Sequence, residues 1–100
     1  MIYIYYINLI NIDFDKINKL IEKLIYIGYK GTKFNNISFC PYLIIHKDFE
    51  NTDYIFENIN EGYLNLLKNN KLVIIKELNN IEDFISKSIE IKNNNLNKLF

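Results

Sequence analysis

Residues 2–28 read IYIYYINLINIDFDKINKLIEKLIYIG, and the hydrophobic period changes once within them. Residues 2–9 are mostly Ile and Tyr, β-branched and aromatic types that fit a pleated, half-buried surface. Alternation sets Tyr3, Tyr5 and Ile7 on one side of a strand and Ile2, Ile4 and Tyr6 on the other. Both sides are apolar, which predicts an inner strand of a covered sheet. From Asp13 the period becomes helical. Phe14, Ile17, Leu20, Ile21, Leu24 and Ile27 fall on one face, with Asp15, Lys16, Lys19, Glu22 and Lys23 opposite. Asn11 or Asp13 can cap the start, and Gly28 stands where a left-handed stop residue belongs.

Beyond the turn at Gly28–Gly31, Phe34, Ile37 and Phe39 alternate and predict a second strand over 33–39. Pro41 interrupts, and Tyr42 to His46 predicts a third strand. Residues 47–53 read as a polar loop, and 53–59 fit either a strand or a helical turn. Tyr63, Leu64, Leu66 and Leu67 suggest a short helix ending at Asn69 and Asn70. Leu72–Lys76 reads as the last strand. Ile81, Phe84, Ile85 and Ile89 mark a final helix capped by Asn79 or Asn80. The expected fold is α+β: one small sandwich in β-α-β-β-α-β-α order, a ferredoxin-like sheet with helices on one face and an appended C-terminal helix. Residues 1–92 form the single domain expected, and 93–100 a flexible C-terminal tail.

The composition is skewed towards Ile (20), Asn (17), Lys (12), Tyr (8) and Phe (7), with no Arg, Ala, Gln or Trp. These residues have AT-rich codons, so the bias points to an AT-rich genome, as in several bacterial lineages, their phages and some large DNA viruses. Twelve Lys balance twelve Asp and Glu, so no net field draws the chain to a polyanion. The missing Arg removes the bidentate fork that grips phosphate or guanine. One cysteine, Cys40, allows no intrachain disulfide and suits a reducing, intracellular setting. The apolar start MIYIYYINLINI has no basic leader or small-residue cleavage site, and no window is apolar enough to span a membrane.

The string Ile4-Tyr5-Tyr6-Ile7-Asn8-Leu9 resembles the short aromatic signature of RNA-recognition motifs, in which a strand aromatic stacks on a base. The resemblance implies that role for Tyr5. The companion signature, basic-Gly-aromatic-Gly-aromatic, is missing; Lys30-Gly31-Thr32-Lys33-Phe34 is the nearest string. A nucleic-acid or nucleotide binder using Tyr3, Tyr5, Lys30, Lys33 and Lys47 is therefore the alternative expectation.

Charge along the chain favours a different reading. Asp48–Leu67 holds five acids and no base, whereas 23–47 holds four lysines and no acid. An acidic face with aromatic anchors suits a protein partner that has a basic surface. The expected contact residues are Asp48, Phe49, Glu50, Asp53, Tyr54, Phe56, Glu57 and Glu61. The expected function is a small non-enzymatic protein-binding module, a viral or mobile-element protein that binds and inhibits a host component. An enzyme of unrecognised type is the second alternative. Asp48-x-Glu50 imitates the start of a calcium loop without its Gly, and no HExxH, CxxC or phosphate-cradling Gly loop exists, so neither metal nor cofactor is expected. Cys40 and His46 are the lone thiol and imidazole, with no third residue to orient them. A homodimer through a sheet edge or the apolar C-terminal tail is compatible with all of these readings.

Overall fold

The computed structural model describes residues 2–31, 33–34, 36–47 and 53–98. The elements are β1 (Ile2–Asn8), α1 (Phe14–Ile27), β2 (Lys30–Gly31), β3 (Tyr42–Lys47), β4 (Tyr54–Ile59), α2 (Glu61–Asn69), β5 (Val73–Glu77) and α3 (Ile81–Lys98). The strands make one mixed sheet in the order β2-β4-β3-β1-β5. β1 runs antiparallel to β3 and parallel to β5, β3 is antiparallel to β4, and the short β2 runs parallel to β4. The ferredoxin-like order expected from the sequence is not confirmed: β1 does lie between β3 and β5, but the strand beyond β3 is β4, which follows it in the chain, with the two-residue β2 outside.

The cross-strand pairs Tyr5–Ile45, Ile7–Leu43 and Ile45–Phe56 share one side of the sheet, here the front. Ile7, Leu43, Ile45 and Phe56 pack there against Ile17, Leu20 and Leu24 of α1 and Phe84 of α3. On the back, Ile4, Tyr6, Ile44 and Ile59 pack against Leu64 and Leu67 of α2. Helices therefore cover both faces, not the one face expected. The reason is visible in β1, whose two faces are both apolar and both need cover.

One other expectation changes. The second strand is not 33–39 but Lys30–Gly31. Asn36 turns the chain there: its carbonyl accepts from Phe39 N–H and Cys40 N–H, and its Oδ1 accepts from Ser38 N–H. Residues 54–59, ambiguous in sequence, are the strand that pairs with β3. α3 takes in residues 93–98, with no Gly or Pro to interrupt Ile81–Lys98. No helix among the described residues is long and apolar enough to cross a membrane.

Helix ends follow the sequence closely. Asp13 Oδ1 accepts from Asp15 N–H at 3.1 Å, Asn60 Oδ1 from Tyr63 N–H at 2.8 Å, and Asn80 Oδ1 from Asp83 N–H at 2.8 Å. Gly28 ends α1 at φ 109°. The Lys92 ammonium donates to the Ile27 carbonyl, supplying from α3 the cation that the last turn of α1 lacks.

Candidate protein-binding surface

The acidic stretch reaches its position through β4, and strand alternation splits it. Tyr54, Phe56 and Asn58 turn to the front, while Ile55, Glu57 and Ile59 turn to the back. On the front, Phe56 is only 3 % exposed and lies against Gly31 of β2, so it is a core residue and not a surface anchor. Tyr54 packs edge-on to Tyr29 with ring centroids 5.8 Å apart. Tyr29 is itself buried, and its hydroxyl donates to the Ser88 carbonyl at 2.8 Å. Burial drives the Tyr29 pKa well above the usual phenol value.

Asp53 lies at the edge where β2 meets β4, and its Oδ2 is 3.0 Å from Lys30 Nζ. The acidic and lysine-rich stretches thus meet in space at this pair, because β2 brings Lys30 alongside β4. An exposed pair of this kind adds little stability, but it takes Asp53 and Lys30 out of a single-sign field. Asp48, Phe49 and Glu50 lie outside the described residues.

Glu57 lies on the back of the β3–β4 hairpin. α2 is nine residues long and packs beside β5. Its Leu64 and Leu67 belong to the cluster with Ile44 and Ile59, which are buried, while His46, Ile55 and Glu57 stay half-exposed. His46 Nε2 is 3.7 Å from Glu57 Oε2. Glu57 also lines a hollow of about 190 Å³ with Cys40, Asn58, Ile59, Asn60 and Tyr63. Asn58 Nδ2 donates to the Cys40 carbonyl at 3.5 Å, closing the inner wall. Tyr63 is exposed. Glu57 thus has the His46 imidazole as one neighbour and, across the hollow, Tyr63 as another, with Glu61 exposed in the first turn of α2.

Ile55, His46 and Tyr63 are the members absent from the expected contact set. The signal for Ile55 was available: reading 54–59 with period two groups it with Glu57 and separates both from Phe56.

The residues of the nucleic-acid alternative are dispersed. Tyr5 is half-buried, with Lys87 Nζ of α3 at 5.1 Å from its ring centroid, so a stacked base would have to displace that lysine. Tyr3 is 58 % exposed at the start of β1, Lys47 ends β3, Lys33 is exposed beyond β2, and Lys30 is paired with Asp53.

Cys40 and His46 are not neighbours. Cys40 precedes β3 beside Asn58, whereas His46 is near the other end of β3 opposite Ile55, about 13 Å along the strand from its first residue, Tyr42, at the usual rise. Among the described residues no three His, Cys, Asp or Glu side chains gather closely enough to hold a metal. A second hollow, about 230 Å³, lies between the starts of α1 and α3, where Asp13 and Asn80 are engaged as caps. Compared with models of protein families, with curated proteins and with solved structures, the chain finds no match.

Proposed function

We propose that this chain is a small protein-binding module that takes a partner with a basic surface on the back of the β3–β4 hairpin. The observation that carries the reading is the placement of α2. It leaves Ile55, His46 and Glu57 half-exposed, with Tyr63 beside Glu57 around the small hollow and Glu61 exposed in the first turn of α2. An apolar and aromatic centre flanked by charge is the usual anatomy of a contact surface. Glu57 and Glu61 give it a sign, and a basic partner is the complement. The proposal places this binding inside a cell, where a lone thiol such as Cys40 stays reduced.

The test is affinity capture from cells with the full chain and with a Glu57→Lys, Glu61→Lys, Tyr63→Ala variant, read by mass spectrometry. Circular dichroism first establishes that the variant folds, since Glu61 and Tyr63 are exposed and Glu57 is half-exposed. A protein retained by the wild type, released by moderate salt and lost by the variant is the expected result. An identical set of captured proteins from both chains removes the proposal.

A further inference from the structure

We infer that the chain forms a twofold dimer through the outer edge of β5, joining two five-stranded sheets into one. β5 ends the sheet and pairs only with β1 among the described residues. The ladder shows which backbone groups face outward. Leu72 C=O accepts from Ile2 N–H at 2.8 Å, and Leu78 N–H donates to Tyr6 C=O at 2.8 Å. In a parallel pair the residues facing the neighbour alternate, so Leu72, Ile74, Lys76 and Leu78 turn their backbone groups to β1. Val73, Ile75 and Glu77 turn theirs away from the sheet. An edge left in this state is a template for another strand.

The side chains show which strand fits. The edge carries none of the usual protections near its centre: Val73, Ile74 and Ile75 form an apolar run, and Leu72 beside it is 69 % exposed. The charges sit at its two ends, Lys71 before it and Lys76 and Glu77 at its close. Antiparallel pairing about a twofold axis at Ile74 sets Ile74 against its own copy and Val73 against Ile75 of the second copy. The same register brings Lys71, in the turn just before β5, towards Glu77 of the other chain, whose carboxylate also accepts from its own Tyr6 hydroxyl at 3.5 Å. Leu72 then lies under the aliphatic stem of Lys76 from the other chain. Val73 N–H already donates to Asn70 C=O at 3.1 Å. The register respects this, since Ile75 N–H donates to the free lone pairs of Val73 C=O across the axis. Apolar residues meet at the centre and opposite charges meet at both ends, which makes the strand complementary to itself.

Sedimentation velocity and native mass spectrometry of the full chain, over a wide dilution series, test the inference. A concentration-dependent species of twice 12.0 kDa is expected. Lys71→Glu and Glu77→Lys each turn two cross-strand attractions into repulsions, so each weakens the dimer by about tenfold, and the double exchange restores it. Ile75→Pro removes an outward N–H while sparing the ladder to β1, and it abolishes the dimer without unfolding the chain. A chain that stays monomeric at every concentration overturns the inference. So does a dimer that the single charge reversals leave unchanged.

Discussion

Gly28 shows how much can rest on one missing side chain. Its φ of 109° is in the left-handed region, and a Cβ there would overlap the Lys92 ammonium that caps α1. Gly28→Ala is expected to cost about 1–3 kcal/mol from backbone strain, and it displaces the flexible end of Lys92 from the Ile27 carbonyl. Lys92→Met removes a cation from a helix C-terminus and costs about 1 kcal/mol. In the double variant the overlap is gone, so the two losses sum to less than their separate values; urea unfolding of all four chains measures the difference. Asparagine illustrates a related point. The high Asn content reads as codon bias, yet Asn8, Asn36, Asn60, Asn70 and Asn80 each accept a backbone N–H through Oδ1 at a turn or helix start. Asn60→Ala and Asn80→Ala are each expected to lose about 1 kcal/mol, read as a drop of roughly 4–8 °C in Tm. Asn93 and Asn94, by contrast, lie within α3, so only position relative to a helix end separates a capping Asn from a filler.

At the scale of elements, β2 and β4 carry the lesson. β2 is two residues long and pairs through Lys30 and Gly31, with Gly31 leaving room for the Phe56 ring. Gly31→Ala forces that ring aside and is expected to cost about 1–3 kcal/mol by overpacking, measurable by thermal unfolding. The contact between α3 and the β2 side of the sheet runs through Tyr29, whose buried hydroxyl bonds Ser88 C=O. Burial raises its pKa above the unfolded value of 10.0, so the folded state favours the protonated phenol. This contribution is complete below pH 10 and declines as pH rises further, because the unfolded chain releases its proton first. Tyr29→Phe is therefore expected to lose about 1 kcal/mol at neutral pH, and its unfolding free energy should fall less steeply above pH 10 than that of the wild type. The acidic contact set was legible as a charge pattern but not as a surface. Asp53, Tyr54, Phe56 and Glu57 are neighbours in sequence, yet the strand sends Phe56 into the core and Glu57 to the opposite face.

For the whole molecule, the open β5 edge and the hairpin back are separate surfaces, and a dimer through one leaves the other available to a partner. A dimeric chain would present two such hairpin surfaces, so a captured partner is expected to weaken its hold when the β5 charge reversals make the chain monomeric; pull-down at matched chain concentration compares the two. The order of physical causes separates what each level of description could determine. Local rules were enough for α1 from Phe14 to Ile27, its Gly28 end and the demand of β1 for cover on both faces, and they narrowed the caps of α1 and α3 to two residues each. Each depends on neighbours a few residues away, where periodicity and hydrogen-bond geometry act directly. The strand order, the Lys30–Asp53 contact, the separation of Cys40 from His46 and the open edge of β5 were decided only by the tertiary structure. They depend on which strands meet across the sheet, and pairing joins segments whose distance along the chain carries no local signal.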